Sequence, residues 1–113
     1  MSYHEYLRHI LDEIIFINNK VKGVEKDRFF NDEVLKRAFV RSLEIIGEAV
    51  KRLPEDFRAK YKDTDWRAIA GTRDKLIHDY FGIDYDIVWD IVTNEIPELK
   101  TQIEKILQKE EKE

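Results

Sequence analysis

The chain contains no cysteine. That excludes a disulfide framework and any thiolate metal site. It has only three histidines, His4, His9 and His78, too few to suggest an imidazole-rich zinc centre, so no metal is expected. Four glycines and two prolines leave few breakers and argue against a turn-rich sheet protein. No apolar run approaches the ~20 residues needed to cross a bilayer. The opening MSYHEYLRHI is not a secretory leader. No membrane association is expected, and the expected compartment is cytoplasmic. An excess of positive charge is missing too. The formal net charge is -4, so any contact with nucleic acid must rest on a local basic patch rather than on bulk charge.

What is present is helical patterning. Apolar residues make up 42% of the 113 residues and charged residues 39%, a composition that suits one helical domain with a single core. Ser2 and Glu5 fit a capping box. Tyr3, Leu7, Ile10, Ile14, Ile17 and Val21 then recur every three or four residues, one face of a first helix that Gly23 ends. KGVEKDRFF reads as a connection. Asn31 or Asp32 caps a second helix that Pro54 stops. Its apolar positions, from Val34 and Leu35 to Val50 and Leu53, cover about half the circumference, wider than a single interface needs. Arg37, Arg41, Glu44 and Glu48 border them as a strip suited to ion pairing. Gly47 lies mid-helix, where it costs stability, which points to a close helix crossing. PEDFRAKYKDTD reads as a short helical turn and a loop. Thr64 or Asp65 caps a third long helix ending at Gly82, and Asp84 caps a fourth. Pro97 marks a kink or a new start, and Ile96, Leu99, Ile103 and Ile106 give the last apolar face. The expectation is an all-α, up-down bundle of four to five helices in one domain, residues 1–113, with a solvated, fraying tail after about residue 108.

The third helix carries the anomaly. Stepping about 100° per residue from Trp66, Ile69, Ala70, Ile77 and Tyr80 fall in one arc with Trp66, and Arg73 falls in the middle of it. His78 lies about 140° from Arg73, at the edge of that face. Tyr80 lies two turns beyond Arg73 and nearly in line. A guanidinium on a buried face needs a partner, and Glu44 or Glu48 could supply one. On spacing alone a structural ion pair and a functional pair are equally open. As a functional pair, the chemistry is specific. Histidine exchanges a proton near neutrality, and the planar cation of arginine matches phosphate oxygens. Together they suit cleavage of a phosphodiester without metal or cofactor. The histidine would take the proton of a ribose 2′-hydroxyl or protonate the leaving 5′-oxygen, and the arginine would stabilise the charge on phosphorus. A symmetric dimer would bring two copies of each group to one cleft.

RSLEIIGEAV (Arg41–Val50), WRAIAGTRDKLIHDYFGID (Trp66–Asp84) and PELKTQIEKIL (Pro97–Leu107) resemble the HepT family of HEPN-domain proteins. The central stretch matches its R-x-x-x-x-H-x-Y signature. The resemblance implies an all-helical HEPN fold, a homodimer, and a metal-independent endoribonuclease with RNA as substrate. In this family such a protein is the toxin of a type VII-like toxin–antitoxin pair, whose antitoxin is a minimal nucleotidyltransferase. By position it implies Arg73 and His78 as the catalytic pair and Asp74 as a supporting residue. It implies Tyr80 as the tyrosine that receives AMP from the nucleotidyltransferase. A non-catalytic nucleotide- or partner-binding subunit of a nucleotidyltransferase is the alternative that the same resemblance leaves.

Overall fold

A computed structural model describes residues 3–76 and 82–112. Helix α1 (Tyr3–Val21) buries the middle of the expected face, where Leu7, Ile10, Ile14 and Ile17 are wholly shielded from solvent, while Tyr3 at its start is 42% exposed and Val21 at its end is half-buried. Gly23 ends it with a positive φ of 72°, a conformation that costs glycine nothing and a side chain much. Helix α3 (Glu33–Lys51) starts at Asp32, whose carboxylate accepts the Leu35 N–H at 3.0 Å, so of the two expected caps Asp32 is the one used. The two helices pack along their length, and the buried Ser42 hydroxyl donates to Glu13 across the seam at 2.7 Å.

The connection before α3 is not irregular. It holds a short helix, α2 (Lys26–Phe30), too short for periodicity to reveal. It forms because Phe29 has somewhere to go. Its ring is fully buried, with Phe39 at 5.8 Å and Trp89 at 5.2 Å between centroids, distances typical of favourable aromatic pairs. Val34 is a second departure. It is 80% exposed rather than part of the apolar face. It lies seven residues before Arg41, hence within about 20° of it around the helix, and shares the solvent side.

Helix α4 (Glu55–Lys60) follows Pro54 and buries Phe57. The expected third long helix is broken. Helix α5 (Trp66–Ala70) is capped by Asp65, and α6 (Thr72–Leu76) begins after Gly71. Gly71 has φ −87° and ψ 3°, in the bridge region that interrupts regular helix. The break turns the buried face: Thr72 and Leu76 go inward, and Arg73 does not. The segments on either side of residues 77–81 are tied together by the Asp84 N–H, which donates to the Leu76 carbonyl at 2.9 Å.

Asp84 caps α7 (Tyr85–Asp90), accepting from Asp86 and Ile87 N–H. From α7 the chain passes through a π turn (Ile91–Glu95) into α8 (Ile96–Lys112). Pro97 is thus the second residue of α8, at the change of helix type where a kink or a new start is expected. It lacks an N–H and crowds the carbonyl four residues back, and the wider turn just before it absorbs the conflict. Ile96, Leu99, Ile103 and Ile106 close the core against α1. The tail after residue 108 is helical to Lys112 and mostly exposed. Glu110 accepts from Lys60 Nζ at 2.9 Å and from the Tyr61 hydroxyl, and Glu111 pairs with Arg8 at 3.0 Å.

The fold is thus all-α, with three long rods, α1, α3 and α7–α8, and short helices filling the gaps between them. The Ser2 cap, and the assignments of Ile77, His78 and Tyr80, fall outside the described residues.

Candidate functional site

The position of Arg73 is set by what anchors α5. Asp65 accepts the Ala68 N–H at 3.1 Å. The Trp66 ring is buried, and its indole N–H donates to the Tyr61 carbonyl at 3.0 Å. The C-terminal end of α5 lies against α3 at Gly47. A Cβ there would stand 3.3 Å from the Ile69 carbonyl oxygen and 3.5 Å from that of Ala70. The close crossing inferred from the mid-helix glycine is therefore present. After the break at Gly71, the Thr72 hydroxyl donates back to the Ala68 carbonyl at 3.2 Å, and this fixes the direction in which α6 leaves.

On α6, Arg73 points to solvent. Its side chain is 62% exposed, and its Nε lies 3.9 Å from Glu44 Oε2. The wheel drawn for one continuous helix put it within the apolar arc; the break at Gly71 takes it out. Of the two partners expected for it, Glu44 is the one reached. The same Glu44 oxygen stands 4.0 Å from an Arg41 guanidinium nitrogen. One carboxylate therefore faces two cations from different helices, at the outer limit of ion pairing. Pairs this long, with arginines this exposed, contribute little to stability, so both guanidiniums can exchange Glu44 for another anion. Asp74 and Lys75 are also exposed on α6. His78 and Tyr80 lie outside the described residues, so of the expected site residues Arg73 and Asp74 can be placed.

A separate cleft of about 200 Å³ lies between α3, α5–α6 and the π turn with α8. Leu43, Ile46, Ile69 and Leu99 line it, with Asp63, Asp65, Glu95, Glu98 and Lys75 among its polar residues. Arg73 does not line it. Among the described residues that line it, four carboxylates face one ammonium, a balance that repels a phosphate and sets the cleft chemically apart from the arginine face. Among the described residues no group of three or more His, Asp or Glu side chains is placed to hold a metal ion. No described helix is long and apolar enough to cross a membrane.

The sequence offered Glu44 both to the ion-pairing strip with Arg41 and to Arg73, but not that a single oxygen meets both. Arg41 and Glu44 are three apart on one helix face, but the reach of Arg73 to the same oxygen depends on the Gly47 crossing and the Gly71 break.

Comparison with known proteins covers this whole region. The model of the HepT-like ribonuclease family matches residues 10–106. A protein of Caldanaerobacter subterraneus subsp. tengcongensis, named provisionally as an RNase, is 58% identical over 105 residues, 93% of this chain and 94% of its own. A Methanocaldococcus jannaschii protein, also named provisionally as an RNase, is 48% identical over 102 residues, 90% of this chain and 84% of its own. The probable ribonuclease HepT of Thermococcus cleftensis is 40% identical over 105 residues, 93% and 96% of the two chains. No solved structure matches the chain significantly. With the match running from the middle of α1 deep into α8, and through the segment that carries Arg73, the chain belongs to the HepT-like ribonuclease family.

Proposed function

We propose that this protein is a metal-independent endoribonuclease in which Arg73 and His78 form the catalytic pair. The observation that carries the reading is the state of Arg73. It is a solvent-facing guanidinium held only loosely by Glu44, within a segment matched by a ribonuclease family. A structural arginine would be buried and tightly paired; this one is free to take a phosphate. In the proposed reaction His78 removes the proton of a ribose 2′-hydroxyl, and the resulting oxygen attacks the adjacent phosphorus. The bond to the 5′-oxygen breaks, and that oxygen takes a proton from an imidazolium. Arg73 stabilises the charge on the non-bridging oxygens as it develops. The products are a 2′,3′-cyclic phosphate and a free 5′-hydroxyl, and DNA is not cut because it lacks the nucleophile. Acid and base are needed together, and a homodimer cleft supplies a second His78. Asp74, next to Arg73, is the supporting polar residue.

The same reading makes the protein the toxin of a toxin–antitoxin pair. Its partner is a minimal nucleotidyltransferase that transfers AMP to Tyr80. The added phosphodiester anion and nucleoside beside Arg73 would occupy the phosphate site and exclude RNA. The test is cleavage of a single-stranded RNA in the presence of a chelator, by the wild type and by the Arg73→Ala and His78→Ala variants. Chelator-resistant cleavage, ending in cyclic phosphate and lost in both variants, is expected. Folded variants that cut RNA as fast as the wild type would remove the catalytic assignment. Mass spectrometry after incubation with the nucleotidyltransferase and ATP tests the second part. One AMP on Tyr80, with loss of cleavage, is expected.

A further inference from the structure

The exposed face of α3 beside Arg73 has no part in the chemistry above. Val34, Arg37, Arg41, Glu44 and Glu48 fall within about 80° of one another around the helix. All but Glu44 are exposed, and none belongs to the core. Arg37 and Arg41 stand one turn apart, about 6 Å along the axis. Arg41 shares its carboxylate with Arg73, at 4.0 and 3.9 Å from the same Glu44 oxygen. The cations of α3 are therefore continuous with the arginine of α6.

We propose that Arg37 and Arg41 extend the Arg73 site into a track for the RNA backbone, with Glu44 as the counter-ion that a phosphate displaces. The inference rests on the ribonuclease reading of Arg73 and says where the strand lies. Three observations favour this occupant. The three guanidiniums suit phosphate oxygens, which they can grip with two parallel hydrogen bonds. Glu44 holds neither arginine closely, and both arginines are mostly exposed, at 70% and 62%, so releasing it costs little. The opposite side of α6 opens on the cleft with Asp63, Asp65, Glu95 and Glu98, which repels a polyanion and leaves the α3 face as its path. Glu44 then has two consequences. It keeps two like charges side by side in the free protein, and it lowers RNA affinity because it must be displaced.

The experiment is fluorescence anisotropy of the full chain with a single-stranded RNA in which every ribose is 2′-O-methylated, so that binding is read without cleavage. It is run over a salt series. At about 50 mM salt Arg41→Ala should weaken binding about fivefold and make the slope of log K against log salt shallower by about 0.7, the value for one lost phosphate contact on a single strand. Arg37→Ala should act in the same direction. Glu44→Gln should strengthen binding about two- to threefold, the size expected for losing a long, loosely held competing ion pair. Unchanged thermal melting shows that these surface variants remain folded. If the wild type binds and cleaves RNA but Arg37→Ala and Arg41→Ala keep its affinity and salt slope, the track is wrong while the catalytic reading stands. If those variants instead lose self-association with RNA binding intact, the face is an interface between copies and the proposal fails. If Glu44→Gln weakens binding, Glu44 is not a competitor. If the wild type neither binds nor cuts RNA, both readings fall.

Discussion

Gly47→Ala and Gly47→Leu form a graded test of how α5, and so α6 with Arg73, is held against α3. The alanine methyl would meet the Ile69 and Ala70 carbonyl oxygens at 3.3 and 3.5 Å. Two terms oppose each other. Replacing a mid-helix glycine with alanine stabilises the helix by about 1 kcal/mol. Crowding a packed contact costs about 1–3 kcal/mol. The oxygens are backbone and cannot rotate aside, so α5 itself must yield by a few tenths of an ångström. Its N-terminal end is fixed by the Asp65 cap and the Trp66 indole, but its C-terminal end runs into the break at Gly71. Small displacement is open to it, which puts the crowding cost near the lower end. The expected net effect of Gly47→Ala is a loss of no more than about 1 kcal/mol, or about 4 °C in melting temperature for a chain of this size. Leucine extends further carbons toward the same two oxygens and forces the helices apart. Its cost should exceed about 3 kcal/mol, more than about 10 °C. Urea and thermal unfolding followed by far-ultraviolet circular dichroism read both values. A Gly47→Leu protein as stable as the wild type would refute the close crossing. An alanine variant as damaged as the leucine one would show that α5 cannot yield.

Other expectations concern the caps, the C-terminal end and the site. Asp65→Ala and Asp84→Ala should each cost about 1 kcal/mol in urea unfolding, with Asp84 the larger because it accepts two N–H groups; Asn at Asp65 should restore most of the loss. The Tyr61 hydroxyl and Lys60 ammonium hold the Glu110 carboxyl below its ordinary value of 4.5. A lowered folded-state value means that this contribution is fully present above pH 4.5 and is lost as pH falls through the lower value. Glu110→Gln should therefore cost about 1–2 kcal/mol at pH 7 and progressively less as pH falls below 4.5, measured as urea midpoints across a descending pH series. Arg73→Ala should abolish RNA cleavage while changing stability by less than about 0.5 kcal/mol, because the side chain is exposed and loosely paired. A large drop in melting temperature would instead make Arg73 a structural residue.

Much of the fold can be read before any coordinates. The spacing of Leu7, Ile10, Ile14 and Ile17 gives α1 and its buried face, and Asp32, Asp65 and Asp84 announce their helices by chemistry that acts within three residues. Gly47 is legible for a different reason: a glycine where propensity disfavours it implies a neighbour too close for a side chain. What failed depends on contacts distant in sequence. Phe29 orders α2 only because Phe39 and Trp89 receive its ring. Val34 looks like a core residue until α3 is set against its neighbours. Nor does any local pattern show that Glu110 meets Lys60 and Tyr61 or that Glu111 meets Arg8.

The candidate site divides along the same line. By itself, the sequence determined the helical class, the starts of α3, α5 and α7 to within a residue, and the signature that places the chain among HepT-like ribonucleases, because periodicity, capping and motif spacing are local properties. Tertiary structure decided where Arg73 goes. A wheel assumes an unbroken helix, and the turn at Gly71 rotates the buried face onto Thr72 and Leu76. The arginine that looked like an intrusion in the core is thereby delivered to the surface, opposite Arg41 and across the same Glu44 oxygen. That outcome depends on how α5 seats against Gly47, a contact between residues more than twenty positions apart, which no local pattern encodes.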